Sequence, residues 1–165
     1  RGSTSNEKNF NQNGRSYPLP ILKRESEKYK NVFVRERRAL GELDHPESSV
    51  VNLGNVSHNI VDLWWDGNDL MGKIEILPTP SGNIAKELLK AGIRLGISSR
   101  GMGSVRELGE GKVEVENDFE IVCWDLVSNP STQGAFMDNL NESVIKSTNK
   151  YAKVNSLVND IISIM

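Results

Sequence analysis

The spacing of apolar and polar residues divides the chain into stretches of different character. Residues 1–16 are polar and rich in Asn, Ser and Gly, so we expect a flexible segment with little order there. Pro18 and Pro20 then fix a turn. Because proline suits the start of a helix, a short helix is predicted over about residues 20–30. The N-terminal part is thus predicted to be a flexible segment followed by one helix.

Alternating apolar and polar positions begin near Asn55 and predict strands. The runs "NVSHNIVDLWW" and "DLMGKIEIL" flank Asp66-Gly67-Asn68, which is a strong hairpin signal. The run "SVRELGEGKVEVEN" predicts a second hairpin that turns near Gly109-Glu110-Gly111. A core strand, "DFEIVCWDLVSNPS", follows and is ended by Asn129-Pro130. The predicted strands are therefore mostly antiparallel.

A helix and a strand are predicted between the two hairpins. Ser81 suits the N-cap of the helix "GNIAKELLKA", and Gly92 suits the residue after its end. The next run, "IRLGIS", is typical of a strand that leads into a glycine-rich segment.

The C-terminal part has the period of a helix rather than of a strand. Its apolar residues recur at spacings of three and four, which predicts one apolar stripe on a helix of about 20 residues or more. The stripe consists of Val154, Leu157, Val158, Ile161, Ile162 and Met165. Such a stripe packs either on the domain's own sheet or on another subunit or partner, and its spacing leaves both open.

Composition indicates a single globular domain with no bias toward nucleic acid. The chain has 165 residues, and its 20 Lys and Arg against 22 Asp and Glu give a net charge of −2. A dedicated nucleic-acid binder usually carries a stronger positive bias, so no nucleic-acid partner is expected. No apolar run is long enough to span a bilayer and no signal-peptide pattern opens the chain, so we expect an intracellular protein without membrane contact.

The cysteine content excludes a disulfide framework. Cys123 is the only cysteine of the chain, so no internal disulfide can form, and a cysteine-based metal site is implausible. It lies in the apolar run "IVCW" and is predicted to be a small buried core residue. We therefore expect neither a metal nor a cofactor.

The segment "GIRLGISSRGMGS", residues 92–104, carries the strongest candidate chemistry. Gly96 and Gly101 have the spacing of a phosphate-binding loop, but Met102 stands at the lysine position and Gly103 at the hydroxyl position. Phosphate binding is therefore a poor fit. The alternative is a nucleophilic serine beside backbone N–H groups that glycines leave accessible. Spacing alone leaves a nucleophile and a plain turn both open.

The order of the histidines limits which kind of catalytic triad this chain can form. Both histidines, His45 and His58, precede the serines of this segment. The order Ser, acid, His of the α/β-hydrolases is therefore excluded. His45 lies with Pro46 in a polar turn, whereas His58 lies in an alternating strand, where an exposed cross-strand histidine is expected.

Five segments occur in an informative order. They are "NQNGRSYPLPIL", "ALGELDHP", "DLWWDGNDLMGKIEIL", "AGIRLGISSRGMGS" and "DLVSNPS", and they cover roughly Asn13 to Ser131. This ordered set resembles the prohead maturation proteases of T-even-type tailed phages. The resemblance implies an α+β fold like that of the herpesvirus capsid-assembly proteases, with a β-barrel-like core of mostly antiparallel strands surrounded by helices. On this basis the protease domain is predicted over residues 17–137 and a long C-terminal helix over residues 138–165.

The resemblance also implies a serine endopeptidase, with His45 as general base and Ser98 as nucleophile. Ser98 is preferred to Ser99 because it closes the strand "IRLGIS", whereas Ser99 would point to the opposite face. Asp125 matches the place of an acid on a late strand and is the expected third member of the triad. Asp44, and His58 by analogy with the second histidine of the herpesvirus enzymes, are the alternatives.

Backbone N–H groups near Arg100 and Gly101 are expected to bind the oxyanion. Arg100 has a rival structural role, in which it pairs with a carboxylate and braces the loop. The sequence does not separate the two roles.

The biology implied by the resemblance is capsid maturation. The expected substrates are phage scaffold and capsid proteins, cut after Glu in a Leu/Ile-x-Glu pattern, and the enzyme itself. We expect a homo-oligomer inside the assembling prohead, in the host cytoplasm. Candidate self-cleavage sites are Leu40-Gly41-Glu42, Leu108-Gly109-Glu110 and Leu140-Asn141-Glu142, the last of which would release the C-terminal helix. Two other classes remain open: a non-catalytic capsid-assembly module, and another Ser/His hydrolase such as an esterase.

Overall fold

The fold is α+β and consists mostly of strands. The computed structural model describes residues 11–132 and 135–137, and within them it contains two α-helices and eight strands. The helices are α1 (Leu19–Tyr29) and α2 (Pro80–Lys90). The strands are β1 (Arg15–Ser16), β2 (Leu40–Glu42), β3 (Val56–Asp66), β4 (Asp69–Ile76), β5 (Gly96–Met102), β6 (Val105–Gly109), β7 (Lys112–Val115) and β8 (Glu120–Val127).

Helix α1 begins close to the residue that the prolines predict, whereas the cap of α2 differs from the prediction. Helix α1 starts directly after Pro18 and continues into one π-helical turn, Lys30–Val34. The N-cap of α2 is Thr79, whose side chain accepts a hydrogen bond from the Gly82 N–H at 2.9 Å. Ser81, the predicted cap, instead lies inside the first turn. The reason is that Pro80 already occupies the first helical position, which suits its fixed φ.

The two predicted hairpins are confirmed. β3 and β4 pair antiparallel around Gly67, and β6 and β7 pair antiparallel around a turn of Glu110 and Gly111. Gly67, Gly111 and Glu110 all have positive φ, at 61°, 73° and 54°. Glycine adopts such angles without steric cost, so the turn residues that marked these hairpins in the sequence have the conformations for which they are suited.

The strands of the described residues form three sheets that do not close into a barrel. The orders are β1-β7-β6, β2-β3-β4 and β5-β8. The second and third sheets meet where the end of β2 approaches β8, through a single parallel bridge between Leu43 and Leu126. Because β2 has only three residues, the ladder between these two sheets stops after that contact. The expected barrel-like core is thus not found as a closed barrel.

The core lies between the β5-β8 pair, helix α1 and the β2-β3-β4 sheet. Its largest fully buried side chain is Trp124 of β8, which packs edge-on against Tyr29 of α1 at a centroid distance of 4.8 Å. Leu63 of β3 and Ile97 of β5 belong to the same apolar cluster. Both strands of the candidate site are therefore fixed from behind by packed side chains, as a site with defined geometry requires.

Some predictions concern the ends of the chain. Within the stretch predicted to have little order, residues 11–16 form a turn and the short strand β1, which pairs parallel with β7. The remainder of that stretch and the predicted C-terminal helix over residues 138–165 lie outside the described residues. Within the described residues, no helix is long and apolar enough to cross a membrane.

Candidate active site

The antiparallel pair β5-β8 brings four chemically interesting side chains onto one face. Ser98 lies directly opposite Asp125, and Arg100 lies opposite Cys123. Side chains two residues apart on a strand share a face, and directly opposed residues have their Cβ atoms about 5 Å apart. The side chains of the S-x-R and C-x-D segments therefore form one cluster, which consists of Ser98, Arg100, Cys123 and Asp125. Ser99 belongs to the other face, as predicted, although β5 continues to Met102 and Ser98 is its third residue rather than its end.

His45 reaches this cluster from the end of β2. The Asp44 N–H donates a hydrogen bond to the Leu126 carbonyl at 2.8 Å, and Asp44 has a positive φ of 69°. Aspartate is one of the few residues that adopt this left-handed conformation readily. The chain turns there, and Nδ1 of the next residue, His45, lies 2.9 Å from Oδ2 of Asp125. The His45 side chain is 42% exposed, whereas Asp125 is fully buried.

The carboxylate of Asp125 is surrounded by hydrogen-bond donors. Its Oδ2 receives His45 Nδ1 and also Arg100 Nε at 3.0 Å. Its Oδ1 receives the Glu42 backbone N–H at 3.0 Å, Arg100 Nη2 at 3.1 Å and the Cys123 thiol at 3.3 Å. Burial alone would raise the pKa of Asp125, but the hydrogen bonds from His45, Arg100 and Glu42 outweigh burial and hold its pKa below the ordinary value. Asp125 is therefore a buried, ionised carboxylate.

Arg100 is buried and its guanidinium is fully engaged. Besides Asp125, it contacts Glu42, with Nη2 2.6 Å from Oε2. Its Nη1 donates to the backbone carbonyls of Ser48 at 3.0 Å and Val50 at 3.4 Å, in the loop that follows His45. Burial acts to lower the pKa of Arg100, but the hydrogen bonds to Asp125 and Glu42 prevail and raise it. The Arg100 side chain therefore makes the carboxylate contacts that the bracing role requires.

Gly101 and Gly41 are glycines for packing reasons. A Cβ on Gly101 would lie 2.5 Å from the ring of Phe119. A Cβ on Gly41 would lie 2.0 Å from the Trp124 carbonyl oxygen and 2.2 Å from His58 Nε2. Such distances are far inside van der Waals contact. The Gly41 of "GELDHP" therefore permits β2 to approach β8 closely enough to deliver His45.

His58 has no exposure, which corrects the expectation of an exposed cross-strand histidine. Its Nε2 lies 2.8 Å from the Trp124 carbonyl oxygen and its Nδ1 2.7 Å from the Ser57 hydroxyl. Burial lowers the pKa of His58 to about 4, so the ring is neutral, with Nε2–H donating to the carbonyl. Strand alternation identified a face for His58 but could not show that β8 covers it. His58 makes no hydrogen bond to the Asp125 side chain within the described residues.

Glu42 is the residue that sequence reasoning missed as part of the site. It was considered only as a cleavage position, yet it is 1% exposed and contacts Arg100. A glutamate three residues before a predicted general base is an available signal, but surface glutamates are much commoner. Asp44, an alternative third member, is exposed, and among the described residues no hydrogen bond joins its side chain to His45.

His45, Ser98 and Ser99 line one cavity of about 200 Å³. Its remaining wall comes from residues 11–17 and 127–131, which are joined by a hydrogen bond from the Gln12 N–H to the Ser131 carbonyl at 3.0 Å. Ser98 is 8% exposed and, among the described residues, no hydrogen bond joins it to His45. The two side chains thus share a small polar cavity without direct contact.

A larger, apolar groove of about 580 Å³ lies apart from that cavity, since neither His45 nor Ser98 lines it. Its wall includes the exposed side chains of Val50, Leu53 and Met102, at 69%, 72% and 46% exposure. Within the part of the chain that the structure describes, no three His, Cys, Asp or Glu side chains are grouped as metal ligands.

Comparison with known proteins identifies the family. The model of the family described as "Prohead core protein serine protease" matches residues 2–147. The chain belongs to this family, and the resemblance noted in the sequence is confirmed.

A curated protein and a solved structure, both from phage T4, give the degree of similarity. The prohead core protein protease of Enterobacteria phage T4 is 36% identical over 131 residues, which are 77% of this chain and 61% of that protein. The chain therefore spans about three fifths of the length of this relative. The solved structure of the bacteriophage T4 capsid assembly protease, gp21, matches with a TM-score of 0.65 and 34% identity, over 70% of this chain and 72% of that chain.

Proposed function

We propose that this chain is a serine endopeptidase of prohead maturation, in which Ser98 is the nucleophile, His45 the general base and Asp125 the residue that orients the histidine. The substrates we propose are phage scaffold and capsid proteins, cut after Glu, and the enzyme itself. Membership in the prohead core protease family supports this activity.

The hydrogen bond between His45 and Asp125 is the observation that carries the proposal. With Nδ1 of His45 at 2.9 Å from a buried, ionised carboxylate, the ring carries its proton on Nδ1 and leaves the Nε2 lone pair free. Ser98 lies directly opposite the same aspartate and lines the same cavity as His45. Asp125, His45 and Ser98 come from three separate segments, and their proximity supports a shared catalytic role more than it supports a plain glycine-rich turn.

The mechanism follows from this tautomer. His45 Nε2 removes the Ser98 hydroxyl proton while the serine oxygen attacks the scissile carbonyl, and Asp125 stabilises the imidazolium that forms. The imidazolium then gives its proton to the leaving amine, and water resolves the acyl-enzyme by the same route. The Ser98–His45 hydrogen bond is expected to form when substrate enters, since such bonds are often long in free enzymes.

Backbone N–H groups of the segment around Arg100 and Gly101 are proposed as the oxyanion site. Alternation along β5 refines this choice. The Ile97 N–H donates to the Ala135 carbonyl, on the edge away from β8. The Ser99 N–H points toward that same edge, two residues on, whereas the Arg100 N–H points toward β8. We therefore propose the Ser99 N–H, directly after the nucleophile, as an oxyanion donor in place of the Arg100 N–H.

Labelling by a serine-directed fluorophosphonate tests the assignment. We expect the full chain to be labelled on Ser98, with labelling abolished by Ser98→Ala and reduced on the order of 10³-fold by His45→Ala. Ser99→Ala is the matched control, because Ser99 is adjacent but on the opposite face, and it should keep more than about half of the labelling rate.

The same reagents separate the competing classes. A non-catalytic assembly module would show no labelling that depends on both Ser98 and His45, and that result would contradict the proposal. If labelling does depend on both, peptides containing Leu-x-Glu are compared with simple esters. Preferential cleavage of the peptides after Glu supports an endopeptidase, and turnover of esters alone would indicate another Ser/His hydrolase.

A further inference from the structure

A second buried carboxylate lies beyond the candidate triad, on the far side of Arg100. Glu42 Oε2 is 2.6 Å from Arg100 Nη2, and the same nitrogen also contacts Asp125 Oδ1 at 3.1 Å. All three side chains are at most 5% exposed. A carboxylate is seldom buried to this degree unless it is paired, and no step of the proposed mechanism uses Glu42.

Both carboxylate oxygens of Glu42 accept hydrogen bonds. Its Oε2 receives the Asn52 N–H at 3.2 Å in addition to Arg100, and its Oε1 receives Asn55 Nδ2 at 3.4 Å. Its own backbone N–H donates to Asp125 Oδ1 at 3.0 Å. A side chain held by several donors is restricted to one orientation. Glu42 is therefore linked to Asp125 in two ways, directly through its backbone N–H and indirectly through Arg100.

Arg100 holds Asp125 by a two-point contact. Nε bonds Oδ2 and Nη2 bonds Oδ1, so the guanidinium and the carboxylate are held in a fixed relative orientation. That orientation leaves Oδ2 directed at His45. An unbalanced guanidinium at this distance would also oppose the effect of Asp125 on the imidazolium, since both act on His45 through a buried, weakly screened region.

The charges of the cluster can be counted. Glu42 and Asp125 each carry −1 and Arg100 carries +1, so the buried group has a net charge of −1 facing His45. The other titratable groups packed around Asp125 are Tyr29, His58 and Cys123, and each is neutral because burial raises the pKa of Tyr29 and Cys123 and lowers that of His58. Next to His45 in sequence, Asp44 and Glu47 are exposed to solvent, where their charge is screened.

We propose that Arg100 and Glu42 are positioning residues for the triad: Arg100 sets the orientation of Asp125, and Glu42 neutralises Arg100 so that the full negative charge of Asp125 remains available to His45. The inference rests on the proposed function for its catalytic meaning. Its electrostatic part concerns His45 alone and can be measured on an inactive protein.

The first experiment follows the proton titration of His45 by NMR in the full chain carrying Ser98→Ala. The chain has two histidines, and His58→Gln assigns their signals. Glu42→Gln removes the neutralising charge, so the midpoint of the His45 titration should fall by about 0.5 to 1 pH unit. Glu42→Asp keeps the charge and should leave the midpoint within about 0.2 of the parent. Glu87→Gln removes an exposed carboxylate paired with Lys90 and should also leave the midpoint within about 0.2 of the parent.

A double variant tests the charge balance directly. Glu42→Gln with Arg100→Gln restores the net charge of −1, so the His45 midpoint should return to within about 0.3 of the parent value. It also leaves no unpaired guanidinium, which makes it the more tolerant variant if Glu42→Gln alone fails to fold. An unchanged midpoint in Glu42→Gln, or the same shift in Glu42→Gln and Glu42→Asp, would overturn the proposal. So would a double variant whose midpoint differs from the parent by as much as the single variant.

Labelling kinetics then separate this inference from the proposed function. In protein with an intact Ser98, Arg100→Lys keeps the charge but loses the two-point contact, and we expect the fluorophosphonate rate to fall about tenfold or more with no change in its pH midpoint. Arg106→Lys, in an exposed pair with Glu114, is the control and should have no effect. If labelling depends on Ser98 and His45 but neither Arg100→Lys nor Glu42→Gln alters it, this inference fails and the proposed function stands. If labelling never depends on Ser98 and His45, the proposed function fails.

Discussion

The two histidines of this chain contact adjacent residues of the same strand and yet have opposite surroundings. His45 bonds the side chain of Asp125, is 42% exposed and borders a cavity. His58 bonds the backbone carbonyl of Trp124, is fully buried and has a pKa lowered by burial to about 4. One ring faces an ionised carboxylate and the other faces a neutral carbonyl.

This difference separates a histidine suited to proton transfer from one suited to holding a fold together. A general base needs access to substrate and a partner that stabilises its protonated form, and His45 has both. His58 has neither. Its ring is enclosed, and its partner is a neutral backbone carbonyl, which accepts a hydrogen bond from the neutral ring. His58 joins β3 to β8 instead, through its hydrogen bond to the Trp124 carbonyl.

Exchanging each histidine for glutamine is expected to have the largest effect and to separate the two roles. His45→Gln should lower the fluorophosphonate labelling rate on the order of 10³-fold while the free energy of unfolding changes by less than about 1 kcal/mol. His58→Gln should lower the free energy of unfolding by about 2 kcal/mol, because a buried hydrogen-bonded ring is lost. Its labelling rate per folded molecule should stay within about threefold of the parent.

Urea unfolding and labelling at matched folded fractions measure both quantities. Equal losses of labelling in the two variants would contradict the division of roles between the histidines.

Gly41→Ala is expected to disrupt the contact between His58 and the Trp124 carbonyl of β8. The added Cβ would lie 2.0 Å from the Trp124 carbonyl oxygen and 2.2 Å from His58 Nε2, and one of these atoms belongs to the backbone of β8. We expect a loss of about 3 kcal/mol or more in the free energy of unfolding, measured by urea denaturation. Gly54→Ala is the control, since its nearest neighbour is the Asn52 side chain at 3.3 Å. A cost for Gly41→Ala no larger than that of the control would mean that β2 and β8 are not held this closely.

The pH dependence of the free energy of unfolding should also distinguish the two histidines, although this effect is smaller than the effects of the substitutions. Unfolded His58 binds its proton near pH 6.5, whereas the folded protein resists protonation until about pH 4. Its contribution is therefore complete above pH 6.5 and is lost as the pH falls toward 4, by at most about 3 kcal/mol. Asp125 also has a depressed pKa, so its contribution is present above the ordinary aspartate value and is lost below that value.

Urea unfolding between pH 7 and pH 4.5 measures the contribution of His58 to the free energy of unfolding. Because the two proteins differ only at residue 58, the difference between their pH profiles reports His58. The parent should lose more stability over this range than the variant. Parallel pH profiles would show that His58 is not buried in a neutral form.

Much of the fold could be predicted from local signals. Glycine and asparagine at Gly67 and Asn68 marked one hairpin, and Gly109 and Gly111 marked the other, because these residues suit the conformations of tight turns. The cap of α2 was placed at Ser81 rather than Thr79, a two-residue error of the kind that several adjacent capping residues invite. Whether the sheets close into a barrel was not predictable, because closure depends on how far the chain at the short β2 pairs with β8.

For the candidate site, the sequence by itself determined which side chains share a face. The spacing of two between Ser98 and Arg100, and between Cys123 and Asp125, places each pair on one side of its strand because side chains alternate along an extended chain. Only the tertiary structure decided the register that sets Ser98 opposite Asp125, and the approach of β2 that brings in His45 and Glu42. Those contacts join residues far apart in the sequence, so they depend on packing between sheets, which no local spacing encodes.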